Sequence, residues 1–177
     1  MMGYQDPKID GWISWMELPW LYETAKRMES IVEIGSWLGK STHALLSGCP
    51  GTVTAVDTFR GSPSRIDTTH ALAKTEDIHA LFLHNVGYLP NLRVLRMESL
   101  EAAPLFPDRS VDMVWIDGDH EYQSVLADIL AWRPKARRLL CGHDEGMEGV
   151  RRALRNAGVE YHVEGPSPPF WIWSCWL

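Results

Sequence analysis

The stretch VEIGSWLGKSTHALL, Val32 to Leu46, decides how the rest of the chain is interpreted. It has the pattern of a buried strand, a glycine turn and the first turns of a helix. The turn ends in Gly-Lys-Ser, as a phosphate-binding P-loop does. A P-loop has four residues between its two glycines, so that backbone N–H groups wrap around a phosphate, whereas Gly35 and Gly39 are separated by three. The stretch therefore predicts a strand, turn and helix that do not form a phosphate cradle.

Short apolar runs alternate with segments of helical spacing on the C-terminal side of this unit. Strands are predicted over 30–35, 52–57, 92–97, 111–117 and 137–144, and helices over 38–46, 70–86, 99–105, 122–132 and 148–156. Another helix is predicted to begin at Pro19 and run to about Glu29. Such alternation is typical of parallel strands joined by right-handed crossovers, and it predicts a Rossmann-like, doubly wound α/β sheet.

The C-terminal end breaks the alternation. VEYHVEG, a proline-rich link and FWIWSCWL follow one another with no helix between them, which favours an antiparallel hairpin. The predicted sheet thus has seven strands, mostly parallel, with one antiparallel strand. At 177 residues the chain is expected to form one domain, with an N-terminal helical segment (1–29), an α/β core (30–157) and a C-terminal hairpin (158–177).

Composition limits the partners and the compartment. The formal net charge of -6 disfavours binding to nucleic acid, which depends on clustered Lys and Arg. No apolar run approaches the roughly 20 residues that span a bilayer. Cys49, Cys141 and Cys175 lie far apart and are expected to be core thiols in a reducing compartment. These features predict a soluble, cytoplasmic protein that binds small molecules and neither nucleic acid nor membrane.

Acidic residues follow most of the predicted parallel strands. In open α/β sheets, ligands bind beyond the carboxyl ends of the strands, so these acids are expected to share one crevice. That acidity disfavours a triphosphate and suits a nucleoside that has free ribose hydroxyls and a cationic centre. Asp57 lies 22 residues after Gly35, which is the spacing of the acidic residue that accepts ribose hydroxyls in dinucleotide folds.

Four motifs together resemble a known family. VEIGSWLGKST, TAVDTF, VWIDGDHEYQSVLADI and GHDEGMEGVRRAL are similar to the class I S-adenosylmethionine-dependent methyltransferases. The similarity is greatest to the small branch that includes catechol O-methyltransferase and the metal-dependent sugar O-methyltransferases of antibiotic pathways. It implies that S-adenosylmethionine is the cofactor and that a hydroxyl of a small molecule, a sugar or a phenol, is methylated.

The resemblance also implies a cofactor site within residues 30–157. Glu33 would lie near the amino group of the cofactor, and Ser41 would bind its carboxylate at the start of a helix. Asp57 would bind the ribose, and Ser99 with Glu98 would lie by the adenine. The complete set of cofactor residues that it implies is Glu33, Gly35, Ser36, Gly39, Ser41, Asp57, Glu98, Ser99 and Asp117.

A divalent metal is the second cofactor that the resemblance implies. Asp117 and Asp144 would be ligands, with His143 beside them. Carboxylates suit Mg²⁺. Because this chain has a histidine at a position where relatives have an acid, Mn²⁺, Fe²⁺ and Zn²⁺ stay as alternatives. The base is either Asp119 or His120, since a carboxylate beside a metal and a histidine are both suited to that role.

Two other functions are kept as alternatives. One is a methyltransferase-fold protein that binds the cofactor without catalysis, because a fold does not dictate a function. The other is a P-loop nucleotide triphosphatase, which the short turn disfavours. Acceptor recognition is expected from residues 1–20, from the loop at 58–75, from the end of the fifth strand or from a second subunit, so a homo-oligomer is left open. Trp12 and Trp15 are expected to lie in the core or in a subunit contact.

Overall fold

The computed structural model describes residues 4–62, 65, 68–165 and 171–177. Over this part of the chain the helices are α1 Leu18–Ala25, α2 Lys40–Gly48, α3 Ile78–Val86, α4 Ser99–Ala102, α5 Tyr122–Trp132 and α6 Glu148–Asn156. The strands are β1 Ser30–Ile34, β2 Thr52–Val56, β3 Leu92–Leu95, β4 Val111–Ile116, β5 Ala136–Gly142, β6 His162–Val163 and β7 Trp173–Trp176. Two 3₁₀ turns occupy Ala71–Lys74 and Ala103–Leu105.

The strands form one seven-stranded sheet in the order β3-β2-β1-β4-β5-β7-β6. Neighbours from β3 to β5 are parallel, and β7 is antiparallel to both β5 and β6. The predicted fold class is therefore confirmed: the sheet is Rossmann-like, mostly parallel, and has one reversed strand in a C-terminal hairpin. The link between the two hairpin strands includes 166–170, which lie outside the described residues.

The centre of the sheet is apolar on both faces. All six residues of β4 are buried, as expected for a central parallel strand covered by helices on both sides. One buried cluster lies with α1, α2 and α3, and a second lies with α5 and α6. The strand order reverses between β1 and β4, because β1 pairs with β2 on one side and with β4 on the other. A crevice therefore opens at the carboxyl ends of β1 and β4.

Several predicted helices differ from the observed ones: that over 38–46 is Lys40–Gly48, and that over 99–105 is α4 followed by the second 3₁₀ turn. α1 ends at Ala25 rather than near Glu29, because the Arg27 and Met28 amides bond three residues back in a tighter turn that buries Met28. The helix predicted over 70–86 is observed as two elements, the 3₁₀ turn Ala71–Lys74 and α3. α3 begins at Ile78 because the Asp77 side chain accepts the Ala80 N–H at 3.1 Å, which caps the helix.

The predictions for cysteine and tryptophan have different outcomes. Cys49, Cys141 and Cys175 are buried free thiols, as expected. Trp12 and Trp15 are not in the core, since 53% and 71% of their surfaces are exposed. In the described part of the chain, no helix is long and apolar enough to cross a membrane.

Candidate active site

A cavity of about 990 Å³ lies beyond the carboxyl ends of the parallel strands. This is the position at which open α/β sheets bind ligands, and the volume is at the upper end of the usual range for small-molecule sites. Its walls come from the N-terminal segment, the turn after β1, the loop after β2 and the ends of β3, β4 and β5; they include 10–13, 34–38, 56–58, 97–101, 117–120 and 143–144.

Gly35 allows the turn after β1 to pack against the end of β4. Its φ is +83°, a left-handed conformation that residues with a Cβ rarely adopt. A Cβ at this position would lie 2.3 Å from the carbonyl oxygen of Asp117 and 2.5 Å from the Cα of Gly118. The glycine therefore brings the predicted cofactor turn directly against the predicted metal acid. Gly39, with φ +93°, ends the turn and precedes α2.

Glu33 lies beneath this turn and is fully buried. Its carboxylate accepts hydrogen bonds from the hydroxyls of Ser36, Ser41 and Thr42 at 2.8, 2.6 and 2.5 Å. Burial raises the pKa of Glu33 to about 7, although the three hydroxyls act in the opposite direction. The hydroxyl of Ser41 is thus turned toward Glu33, and the two side chains brace the turn from inside. Their predicted contacts with the cofactor stay predictions.

Asp57 holds the same turn from the side of β2. It accepts the backbone N–H groups of Ser36 and Trp37 at 2.7 and 2.9 Å, and that of Phe59 at 2.6 Å. Its side chain also lines the cavity. The structure therefore places Asp57 beside the glycine turn. Its predicted contact with the ribose of the cofactor stays a prediction.

Ser99, which was predicted to lie by the adenine, is part of a small buried network. Its hydroxyl donates to Asp128 Oδ1 at 2.5 Å and accepts from Trp132 Nε1 at 2.8 Å. Burial raises the pKa of Asp128 to about 6. Sequence reasoning missed Asp128. A signal was present, because this acid lies on the apolar face of α5 together with Val125 and Ile129.

Two aspartates and a histidine meet at the ends of β4 and β5. Asp117, His120 and Asp144 each offer a ligand atom within 4.8 Å of the others, and we call them the strand-end cluster. His120 Nε2 lies 2.5 Å from Asp144 Oδ2. Burial raises the pKa of Asp117 to about 7. Burial also acts to raise the pKa of Asp144, but hydrogen bonds from His120 and His143 outweigh it and hold that pKa well below its usual value.

His143 lies behind this cluster and is 5% exposed. Its Nε2 is 3.2 Å from Glu17 Oε1, and its Nδ1 is 3.3 Å from Asp144 Oδ2. Burial acts to lower the pKa of His143, but the surrounding acids raise it to about 11. Its Nδ1 is also 3.7 Å from Asp117 Oδ1, so the ring lies among three carboxylates. The structure brings His120 to the two aspartates in addition to His143, whose role as a metal ligand stays a prediction.

Glu17 could not be found from the sequence. Its carboxylate is fully buried and accepts the backbone N–H groups of Ser14 and Trp171 at 2.9 and 2.6 Å, besides contacting His143. Ser14 lies three residues before Glu17, but His143 and Trp171 are 126 and 154 residues away, and no spacing or motif links them to it. This residue ties the start of α1 and the C-terminal hairpin to the back of the site.

Of the two predicted bases, Asp119 is engaged in the scaffold. It accepts from the Ser62 hydroxyl at 3.0 Å and from the His120 N–H at 2.8 Å. Burial acts to raise the pKa of Asp119, yet these and further hydrogen bonds, including one from Ser124, lower it. His120 differs, because its buried Nδ1 has no hydrogen-bond partner in the described part of the chain. The geometry therefore favours His120 over Asp119 as a group that acts on a ligand.

Aromatic rings form one wall of the cavity. Trp37 is stacked on His70 with centroids 4.7 Å apart, and Trp12 lies 4.8 Å from His70 and 5.5 Å from Trp37. We call these three residues the aromatic wall. Lys40 helps to hold Trp12 there, because its Nζ donates to the Gly11 carbonyl at 3.3 Å. The lysine of the apparent P-loop thus fastens the N-terminal segment over the cavity.

Comparison with known proteins gives the family. The methyltransferase domain family matches residues 32–144, which include the glycine turn, Asp57 and the strand-end cluster. The chain belongs to this family. The resemblance to the class I S-adenosylmethionine-dependent methyltransferases that the sequence predicted is confirmed.

One relative and two solved structures show how far the similarity extends. The uncharacterized protein y4gI of Sinorhizobium fredii is 36% identical over 133 residues, which are 71% of this chain but only 14% of that protein. The structure of cofactor-bound Rv0187 from MTB has a TM-score of 0.68 at 17% identity and covers 95% of this chain and 83% of its own. An O-methyltransferase from Bacillus cereus in complex with SAH has a TM-score of 0.64 at 18% identity, with 97% and 84% covered.

Proposed function

We propose that this protein transfers the methyl group of S-adenosylmethionine to a hydroxyl oxygen of a small acceptor, a sugar or a phenol. The observation that supports this most is the position of the strand-end cluster. Gly35 packs against Asp117, so the turn assigned to the cofactor and the cluster that can act on a hydroxyl share one cavity. The cytoplasm is the proposed location, in keeping with three free buried thiols.

The donor set of the cluster suits a divalent cation. Asp117 and Asp144 supply carboxylate oxygens and His120 supplies a ring nitrogen, all within 4.8 Å. Oxygen ligands suit Mg²⁺, and the nitrogen also suits Mn²⁺, Fe²⁺ or Zn²⁺. When bound, such a cation would act as a Lewis acid that lowers the pKa of the acceptor hydroxyl. His143, whose Nδ1 is 3.3 Å from Asp144 Oδ2, would be a further ligand beside them.

Methyl transfer needs the two reactants in line and a group that takes the hydroxyl proton. The acceptor oxygen attacks the sulfonium methyl, an O–C bond forms, and the C–S bond breaks with its electron pair left on sulfur. The products are the methyl ether and S-adenosylhomocysteine, and the hydroxyl proton passes to a base. The aromatic wall would cover the acceptor, exclude water and hold the two reactants in line.

One observation favours a second route to the same reaction, in which His120 is the base without a metal. Asp144 accepts from Nε2, and Nδ1 is buried and unpaired among the described residues. A carboxylate that orients one ring nitrogen leaves the other to take a proton from the acceptor. The two routes assign His120 different roles, and a chelator separates them.

The test is methyl transfer from isotopically labelled S-adenosylmethionine to catechol and to a sugar, with and without a chelator. The metal route predicts that excess chelator abolishes transfer and that Mg²⁺ or Mn²⁺ restores it. If methyl transfer is unchanged in chelator, the metal route is excluded. A loss of methyl transfer in His120→Gln would then identify His120 as the base. If S-adenosylhomocysteine binds but no acceptor of a broad panel is methylated, the protein is a cofactor-binding protein without catalysis.

A further inference from the structure

Arg65 is a cation on the cavity wall that the proposed reaction does not use. Among the described residues that line the cavity, eight are acids and three are lysine or arginine, namely Lys40, Arg60 and Arg65. Lys40 is engaged with the Gly11 carbonyl, and Arg60 is exposed to solvent. Arg65 is half-buried. It is therefore the residue of the three whose charge is partly withdrawn from water without a backbone partner.

The donors of the Arg65 side chain are almost unused. A guanidinium has five N–H groups, and the contact that the structure gives them is one from Nη2 to the thioether of Met147 at 3.7 Å. Thioether sulfur is a weak acceptor. No carboxylate forms an ion pair with Arg65 among the described residues. A half-buried guanidinium in this state is stabilised if a ligand in the cavity supplies an anion.

The contact with Met147 places this cation near the strand-end cluster. Met147 donates its backbone N–H to the Asp144 carbonyl at 2.8 Å, so it lies in the turn that follows the cluster. Burial acts to lower the pKa of His120, and the charge of Arg65 acts in the same direction, although the contact with Asp144 outweighs both. The charge of Arg65 therefore acts on the part of the cavity where the acceptor hydroxyl would react.

The backbone of Arg65 is fixed beside the aromatic wall. Its N–H donates to the Ser62 carbonyl at 2.9 Å, and its carbonyl accepts the N–H groups of Thr68 and His70 at 2.9 and 3.0 Å. His70 is a member of the aromatic wall, and the Ser62 hydroxyl donates to Asp119 at 3.0 Å. Arg65 is thus held between the aromatic wall and the strand-end cluster, where the acceptor is proposed to bind.

We propose that Arg65 binds a carboxylate of the acceptor, so that the substrate within the proposed class is a hydroxy acid, either phenolic or sugar-derived. The inference rests on the proposed function, since it takes the acceptor to lie in this part of the cavity. The planar guanidinium matches the two oxygens of a carboxylate. The acids of the wall would repel a dianion such as a phosphate monoester, whereas Arg65 offsets a single negative charge.

The experiment compares matched acceptors that differ in charge. Protocatechuate is paired with its neutral primary amide, and glucuronate is paired with glucuronamide, in initial-rate assays with saturating S-adenosylmethionine and Mg²⁺. We expect kcat/KM to be at least about tenfold higher for the acid than for its amide in one pair or both, because the amide loses a charge-assisted bidentate contact. Most of the difference should lie in KM.

Three variants locate the preference. Arg65→Gln should reduce the ratio of acid to amide to about threefold or less, while the rate with the amide changes little. Arg65→Lys keeps the charge without the planar fork and should retain part of the preference. Arg60→Gln is the matched control, since it removes an exposed cation from the same loop, and it should keep the wild-type ratio.

The outcomes separate the inference from the proposed function. If S-adenosylhomocysteine does not bind at millimolar concentration, the proposed function is wrong. If it binds but each amide is methylated as fast as its acid, or if neither acid is methylated or bound, the assignment of Arg65 is wrong while the proposed function stands. An equal loss for acid and amide in Arg65→Gln would show that Arg65 only supports the cluster, which also overturns the inference. The wild-type ratio is informative even if the variant does not fold.

Discussion

The acids of the glycine turn and those of the strand-end cluster differ in the groups that stabilise their carboxylates. Glu33 accepts three hydroxyls, and Asp57 accepts three backbone N–H groups. In the cluster, Asp117 and Asp144 face one another and two histidines within a few ångströms. Glu33 and Asp57 are thus surrounded by neutral hydrogen-bond donors. The carboxylates of the strand-end cluster are instead stabilised by groups of opposite charge. Glu33 and Asp57 therefore hold the shape of the glycine turn, and the strand-end cluster is where a cation, a proton or an acceptor can change the balance.

The largest expected effect comes from breaking the cluster itself. Asp117→Asn should reduce turnover at least about 100-fold, because metal or electrostatic stabilisation of a transition state is worth several kcal/mol. The measurement is initial rate with saturating cofactor and acceptor, with the exposed Asp108→Asn as control. If both variants keep wild-type rates, the cluster is not where the chemistry occurs.

The next effect concerns the support behind the cluster. Glu17→Gln removes one partner of the buried pair with His143 and leaves the charge on that ring less well compensated. We expect a loss of about 3–5 kcal/mol in the free energy of unfolding, which denaturant titration would measure. Glu23→Gln breaks the exposed pair with Lys26 and should cost under about 1 kcal/mol. Equal losses in the two variants would show that Glu17 has no special role.

The glycine turn makes a prediction about pH. The pKa of Glu33 is raised from 4.5 to about 7, so as pH rises through this window the unfolded chain loses its proton before the native protein does. This contribution to stability is fully present below about pH 4.5 and is lost by about pH 7, a change on the order of 3 kcal/mol. In Glu33→Gln the free energy of unfolding should decline less over this range. Part of the decline should remain in this variant, because the pKa values of Asp117 and Asp128 are also raised. Identical slopes in the two proteins would contradict the buried environment of Glu33.

The smallest effect is expected at the rim of the cavity. Trp12 is half exposed and contacts the other two rings of the aromatic wall. Trp12→Ala should raise the KM for the acceptor by roughly three- to tenfold, since an aromatic contact is worth about 0.5–1.5 kcal/mol. The KM for S-adenosylmethionine should change less, and Trp15→Ala, in the exposed neighbour, serves as the control. An equal rise in both KM values would indicate that the aromatic wall contacts the cofactor as well as the acceptor.

The parts of the structure that depend on local pattern were predictable. Buried runs such as VDMVWI gave the strands, and Tyr122–Trp132 and Glu148–Asn156 were predicted with the observed bounds. The hairpin followed from the lack of a helix between two strands. The shared crevice of the glycine turn and the strand-end acids followed from the rule that ligands bind beyond the carboxyl ends of the strands, whereas the direct contact of Gly35 with Asp117 did not.

What could not be predicted depends on contacts between distant parts of the chain. His143 was noticed because it follows a strand beside Asp144, but its contact with Glu17, 126 residues away, has no signal in the sequence. His120 meets Asp144 across two strand ends. Trp12 was expected in the core or in a subunit contact, yet it lies over the cavity, where it contacts Trp37 and His70 and where Lys40 holds the neighbouring Gly11. Such placements come from packing, and spacing along the sequence does not encode them.

The measurement that tests the account most directly is calorimetric titration of S-adenosylhomocysteine into three proteins: wild type, Asp57→Asn and Asp117→Asn. If the glycine turn holds the cofactor and the strand-end cluster acts on the acceptor, wild type binds, Asp57→Asn binds at least about tenfold more weakly, and Asp117→Asn stays within about threefold of wild type. No binding to wild type at millimolar ligand, or a greater loss in Asp117→Asn than in Asp57→Asn, would contradict this division of the site.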